Sequence, residues 1–158
     1  SALETFFSNA NNVLEILSLE DGQFENVVPS LLEKQYFRNA LYNNYASTQS
    51  VIANSSAIKN AMKSSSRYEV ISRTGQNKTF YSGKAYVLGF SCQGSSNGNY
   101  KIGSFLTSSN DVWNPSGYYS TNGLAYSVNK FASSVYVNGT SGVSYEWDRY
   151  MYAAVFKI

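Results

Sequence analysis

Apolar residues recur every three or four positions over the first third of the chain, which is the spacing of amphipathic helices. The first stripe consists of Leu3, Phe6, Phe7, Ala10, Val13, Leu14 and Leu17, and the second of Leu32, Tyr36, Ala40 and Leu41. Asp21 and Gly22 follow the first stripe and predict the end of its helix. Pro29 precedes the second stripe, and a first helical turn tolerates proline. The pattern predicts two helices, bounded at Gly22 and at Pro29.

A third helical segment, residues 47–66, carries a much thinner apolar stripe. The stripe consists of Val51, Ser55, Ile58 and Met62, and small polar residues surround it. So narrow a stripe cannot build a core alone, and a multi-stranded coiled coil would supply the missing partners. A helix packed on the chain's own β-domain would supply them equally well. The pattern leaves both arrangements open.

The composition changes near residue 66, where alternation of apolar and polar residues replaces the helical spacing. Gly22 is the only glycine before that point, and the other ten of the 11 glycines follow it. Alternation is clearest along three segments: Tyr86, Leu88, Phe90 and Cys92; Tyr100, Ile102 and Leu106; and Phe131, Ser133, Val135 and Val137. Asn-Gly pairs at residues 122–123 and 138–139 are typical of hairpin turns. The sequence predicts an α+β chain, with a helical segment over residues 1–66 and an antiparallel β-sandwich over residues 67–158.

The last strand of this sandwich, residues 150–158, is apolar on both of its faces. Tyr152, Phe156 and Ile158 fall on one face, and Ala153 and Val155 fall on the other. We therefore expect the strand to be covered on both sides and its end to be tied down. The preceding residues are out of phase with it, which predicts a β-bulge near residues 148–149.

Composition excludes several classes of function. Charged residues make up 14% of the chain, the net charge is +2 and no basic run occurs, which argues against nucleic-acid binding. The chain has no histidine and one cysteine, so the usual zinc sites and histidine-dependent nucleophiles cannot be built from it. We predict that Cys92 is a buried, inert thiol. No apolar run is long enough to cross a bilayer, and we expect no cofactor and no metal.

One pair of acids has the spacing of possible catalytic carboxylates. Glu146 and Asp148 lie two residues apart, beside Arg149 at the expected bulge. A charged bulge normally guards the edge of a sheet against pairing with another chain. We interpret the pair as an edge guard and predict a protein without enzymatic activity.

The segment of residues 108–123 is the most informative candidate for binding. It is long for a hairpin connection and mixes aromatic side chains with short amides and carboxylates. The predicted ligand-binding residues are Asn110, Asp111, Trp113, Asn114, Tyr118 and Tyr119. Trp113 and the two tyrosines would stack on sugar rings, and the polar residues would bind hydroxyl groups. Alternatively, Trp113 plugs the end of the sandwich and the tyrosines contact a neighbouring subunit.

Two features resemble one family. The run SVIANSSAIKNAMKSSS is similar to the helical repeats that precede the tip domain in tail fibres of bacteriophages and of contractile-tail bacteriocins. A β-domain rich in Tyr, Ser, Gly and Asn that ends in YMYAAVFKI resembles the receptor-binding head of such fibres. The resemblance covers residues 47–158, contains about one repeat unit and carries over no individual binding residue.

The resemblance implies a homotrimeric, non-enzymatic adhesin at the tip of a virion tail fibre. Such a protein is assembled in the host cytoplasm and attaches the particle to a bacterial surface polysaccharide or other surface receptor, without membrane insertion. A monomeric carbohydrate-binding module, whose helices pack on its own sheet, is the alternative. A structural tail protein without a ligand is a third reading, and a depolymerase with its site between subunits is a fourth.

Overall fold

The computed structural model describes residues 2–74, 79–93, 105–107, 111–113, 124–137 and 150–158 of the 158-residue chain. Its helices are α1 (Ala2–Phe7), α2 (Ala10–Leu17), α3 (Asp21–Leu32), α4 (Gln35–Asn43), α5 (Tyr45–Ala53) and α6 (Ser56–Lys63). Its strands are β1 (Tyr68–Thr74), β2 (Thr79–Gln93), β3 (Phe105–Thr107), β4 (Asp111–Trp113), β5 (Leu124–Val137) and β6 (Tyr150–Lys157). The chain is therefore mixed α and β, as the patterning predicts.

The helices belong to one compact unit, Ser1–Tyr68 with Phe156–Ile158, which we call the helical unit. Within it α1 packs against α4, α2 against α5, and α3 against α6. The fully buried apolar side chains of its helices are Val13, Val28, Leu32, Phe37, Leu41, Ile52, Ile58 and Met62. These short helices share one apolar core, which stabilises them although each is too short to persist alone.

Two of the helix breaks in this unit, before α2 and before α6, occur at capping residues that interrupt the predicted stripes. Asn9 separates α1 from α2, and its side chain accepts a 2.9 Å hydrogen bond from the backbone N–H of Asn11. Ser55 separates α5 from α6 in the same way, accepting from the N–H of Ile58 at 3.2 Å. Each cap satisfies a donor that a helix start leaves without a partner. Ser55 is thus an N-cap and not a member of a continuous stripe.

The predicted boundaries at Gly22 and Pro29 were both wrong. α2 ends at Leu17, and Gly22 lies in the first turn of α3, where Asp21 places a carboxylate near the positive end of the helix. Pro29 lies inside α3, although proline removes a backbone donor there and crowds the preceding turn. Val28 and Leu32 are fully buried beside it. Burial on this face offsets the cost of the proline, so the helix continues to Leu32.

The thin stripe of residues 47–66 is buried inside the chain. Ile58 and Met62 are fully buried in the helical unit, and α6 contacts α3 and α5. Val51 is half-buried. Burial of this stripe therefore needs no second chain.

The strands form a second compact unit, Glu69–Val155, which we call the strand unit. The order in its main sheet is β1-β6-β2-β5, and β3 pairs with β4 in a separate two-stranded sheet. β2 and β5 pair antiparallel from Thr79↔Val137 to Cys92↔Leu124. β3 lies against β5.

Two irregularities interrupt the pairing of β2 with β5, after Ser82 and after Val87. Gly83 lies at the first with φ +151°, and a Cβ atom there would approach the hydroxyl oxygen of Tyr81 to 3.1 Å. Asn129 lies at the second with φ +52°, a conformation that asparagine tolerates better than most residues. These bulges let two long strands twist together without losing register at either end.

The final strand, β6, agrees with the expected cover on both faces. Among Tyr152–Ile158 no residue is exposed, and Ala153, Val155 and Phe156 are fully buried. Its last three residues belong to the helical unit, where Arg67 donates to the carbonyl oxygens of Lys157 at 3.4 Å and Ile158 at 3.3 Å. The bulge predicted near residues 148–149 lies outside the described residues.

Candidate functional site

Two of the predicted ligand-binding residues lie on β4. In the register of the two-stranded sheet, Asp111 is opposite Thr107 and Trp113 is opposite Phe105. Asp111 and Trp113 take alternate positions along β4. The other four predicted residues, Asn110, Asn114, Tyr118 and Tyr119, lie outside the described residues. Their convergence on a ligand stays a prediction.

The main sheet provides firm support for this hairpin through β5. The ring of Tyr86 on β2 packs edge-on against Phe131 on β5, with ring centroids 4.9 Å apart. Its hydroxyl donates to Oδ1 of Asn129 at 3.3 Å, and Nδ2 of Asn129 donates to Ser127 at 2.6 Å. Burial raises the pKa of Tyr86, so the phenol keeps its proton and remains a donor. These contacts join β5 to β2, and β3 in turn lies against β5.

A pocket of about 650 Å³ lies between α1 and α4 in the helical unit, lined by polar side chains and by Phe7 and Ala40. Six of the side chains that line it are Glu4, Gln35, Tyr36, Asn39, Asn43 and Asn44. Gln35, Asn39 and Asn43 repeat every four residues, which puts their amides on one face of α4. We call this the amide pocket.

A buried arginine stands behind the amide pocket. Arg38 is 5% exposed, and it donates to the carbonyl oxygen of Leu32 at 3.0 Å and to Oε1 of Gln35 at 2.7 Å. Burial is the main cause that lowers the pKa of Arg38, and the charge of Arg67 adds to it, whereas Glu33 raises it. Nε2 of Gln35 in turn donates to Oδ1 of Asn39 at 2.9 Å. The buried cation thus orients two amides in series.

An acidic groove of about 670 Å³ lies between α3 and α6. Asp21, Glu25 and Glu33 contribute its carboxylates, and Phe24 and Pro29 contribute apolar surface. Glu33 accepts hydrogen bonds from the hydroxyls of Ser65 and Ser66, each at 2.5 Å. These two bonds are the main cause that lowers the pKa of Glu33, and burial opposes them. Glu33 acts as a clasp between α3 and the end of the helical unit.

The remaining candidate residues are Cys92 and the acid pair of Glu146 and Asp148. Cys92 lies on β2 opposite Leu124 in the backbone register, and its thiol lies outside the described residues, as do Glu146 and Asp148. In the part of the chain that the structure describes, no cluster of three histidine, cysteine, aspartate or glutamate residues could hold a metal ion. Within that same part, no helix has both the length and the apolar character to cross a membrane.

Comparison with protein-family models, with curated proteins and with solved structures finds no match for this chain. No family is shown by these comparisons, so the function has to be argued from the residues themselves.

The amide pocket escaped the sequence-based prediction, although its signal is present in the sequence. Gln35, Asn39 and Asn43 form a polar stripe along the helix whose other face carries Phe37 and Leu41. Polar residues on the outer face of an amphipathic helix are usually solvated, so the stripe alone did not indicate a site. The packing of α1 beside α4 turns that face into a pocket.

Proposed function

We propose that this chain is a receptor-binding tip of a phage-type tail fibre, a non-enzymatic adhesin that attaches a particle to a bacterial surface glycan. The observation that carries the proposal is the position of Asp111 and Trp113 at alternate sites of β4, on a short sheet supported by β5. An indole can stack on a sugar ring, and a carboxylate can bind its hydroxyls. Asn110, Asn114, Tyr118 and Tyr119 complete the proposed site.

The proposed architecture of the head is a β-sandwich. Four consecutive residues of β2, Ala85–Leu88, are buried, and consecutive strand residues point to opposite faces of a sheet. Both faces of the sheet are therefore covered at β2. The main sheet supplies one layer of the proposed sandwich, and β3 with β4 belongs to the second.

The proposed working form is a homotrimer at the tip of a virion tail fibre. Its support is the resemblance of residues 47–158 to fibre tips, together with apolar surface on the strand unit. Val70 on β1 is 47% exposed and Phe80 on β2 is 53% exposed. A subunit contact on the strand unit would cover these two side chains. In this proposal the strand unit, rather than the helices, joins the three chains.

Replacing Trp113 with alanine tests the proposal directly. The labelled W113A protein should lose binding to bacterial cells that the wild-type protein binds, because the stacking surface is gone, while its circular dichroism stays unchanged. Tyr45→Ala is the matched control, since Tyr45 is 56% exposed on α5 and lies outside the proposed site. Unchanged cell binding by W113A, or loss of binding by Y45A to the same extent, would contradict the assignment.

A monomeric carbohydrate-binding module is the second candidate. The observation that favours it is the burial of Ile58 and Met62 within their own helical unit, because a chain that buries its own stripe does not need partners. The two candidates share the same glycan site and differ in the number of chains.

A further inference from the structure

We propose that the amide pocket between α1 and α4 is a second binding site, for a neutral pyranose sugar. The site lies in the helical unit and contains no residue of the proposed site around Trp113, so it extends the proposed function and can be tested separately from it.

The direction of the hydrogen bonds behind the pocket carries the inference. An arginine guanidinium can only donate, so the oxygen of the Gln35 amide must face Arg38 and its nitrogen must point away. That nitrogen donates to Oδ1 of Asn39, so the oxygen of the second amide faces Gln35 and its nitrogen points away. Nδ2 of Asn39 is then the last donor in this series of hydrogen bonds. Hydrogen bonds in series polarise one another, so this amide is a prepared donor.

The pocket holds acceptors as well as donors. Nδ2 of Asn44 donates to the carbonyl oxygen of Ala40 at 2.7 Å, and Asn44 also lines the pocket with an amide oxygen that can accept. Glu4 adds a carboxylate from α1. Among the described residues, neither Nδ2 of Asn39 nor the side-chain amide of Asn43 has a hydrogen-bond partner. A ligand with several hydroxyls, each both donor and acceptor, could pair with these two amides together.

An aromatic ring lies beside these polar groups. Tyr36 is half-buried, and its ring stacks on Phe7 with centroids 5.9 Å apart and an angle of 18° between the planes. Phe7 is 3% exposed and packs edge-on against Phe37 at 5.1 Å. The tyrosine is therefore backed by the core ring of Phe7, which itself packs on Phe37. An aromatic ring next to planar amides suits the apolar face of a sugar.

Charge limits the class of ligand. Glu4 places a negative charge at the pocket, and the guanidinium of Arg38 is buried behind Gln35. The described residues that line the pocket include no lysine or arginine, so the lining would repel a phosphate or an acidic sugar through Glu4 and would offer it no lysine or arginine. A pocket of about 650 Å³ is large enough for one or two sugar rings. A neutral sugar is the ligand that fits.

The test uses the ¹⁵N-labelled full chain, titrated with the methyl glycosides of glucose, galactose, mannose, N-acetylglucosamine and N-acetylgalactosamine. At least one glycoside should shift the side-chain amide signals of Asn39 or Asn43 in the wild-type protein. Asn39→Asp keeps the oxygen that accepts from Gln35 but replaces the outward donor with an acceptor. We expect N39D to bind that glycoside about tenfold more weakly, the loss of one or two hydrogen bonds.

Asn60→Ala provides the matched control, because Asn60 is an exposed helical asparagine that lines the acidic groove. N60A should bind like the wild type, and so should W113A, which separates this site from the proposed receptor site. Asn39→Ala provides a second variant in the pocket, and it should weaken binding as N39D does. The proposal is overturned if no glycoside shifts either amide signal, or if N39D and N39A both bind as tightly as the wild type.

Discussion

Glu33 shows how one side chain joins distant parts of the helical unit. It is the C-cap residue of α3, and its carboxylate accepts from Ser65 and Ser66 more than 30 residues later. Bonds to the charged form lower the pKa of Glu33, so they favour the folded state only while the carboxylate is ionised. No sequence motif links Glu33 to the serines, because the pairing depends on how the helices pack.

A Glu33→Gln variant should reveal this contribution through its pH dependence. The folded pKa of Glu33 lies below the unfolded value of about 4.3, so its contribution is fully present above that pH and is lost as the pH falls through the folded pKa. Thermal melts should show a lower Tm for E33Q at pH 7 and a difference that closes in acid. Glu25→Gln, in the same groove, controls for loss of a charge. A difference in Tm between wild type and E33Q that stays constant from pH 7 into acid would contradict a stabilising role for the ionised Glu33 carboxylate.

Gly83 and Asn129 mark residues whose role the sequence could not reveal. Alternation along residues 86–92 correctly predicts a strand, but it does not show that β2 and β5 slip in register at two points. Both bulges depend on cross-strand pairing that is distant in sequence. The positive φ values at Gly83 and Asn129 are consequences of that pairing.

The helices illustrate which part of an element can be predicted. Apolar spacing correctly predicts helical structure over most of the first 63 residues, because burial on one face stabilises helices of many different lengths. The helix boundaries were harder to predict, because glycine and proline often mark the end of a helix. In this chain Gly22 and Pro29 both lie within α3. Two other breaks, before α2 and before α6, occur at side-chain caps made by Asn9 and Ser55. Asparagine and serine are too common in this chain for a cap to be recognised from sequence.

Ile58 tests whether α6 belongs to a single-chain core. It is fully buried in the helical unit, so Ile58→Ala should lower the free energy of unfolding by about 2–5 kcal/mol. Val51→Ala is the control. Val51 belongs to the same stripe but is half-buried, so this substitution should lower the free energy of unfolding by less than Ile58→Ala does. Urea unfolding provides the measurement. Equal, small effects of both changes would contradict burial within the chain and would indicate a stripe that is covered only by other subunits.

At the scale of the whole molecule, the candidate site was less predictable than the fold. The mixture of helices and strands follows from residue spacing, which the chain displays locally. The proposed receptor site depends on residues 108–123, of which the structure describes only residues 111–113. The amide pocket became visible only through the packing of α1 against α4.

The proposed homotrimer predicts the mass of the protein in solution. Light scattering on a sizing column should give the mass of three chains of 17.5 kDa each, at two protein concentrations. Val70→Ser should lower that mass if the apolar surface of the strand unit joins the chains, since Val70 is 47% exposed in one chain. A mass of one chain at both concentrations would contradict the trimer and favour the monomeric carbohydrate-binding module.

Binding of the full chain to an array of bacterial surface polysaccharides tests the central claim most directly. The account predicts that the wild-type protein and Y45A bind at least one polysaccharide and that W113A does not bind it, with all three proteins folded. A wild-type protein that binds none of the polysaccharides, or a W113A variant that binds as the wild type does, would contradict it.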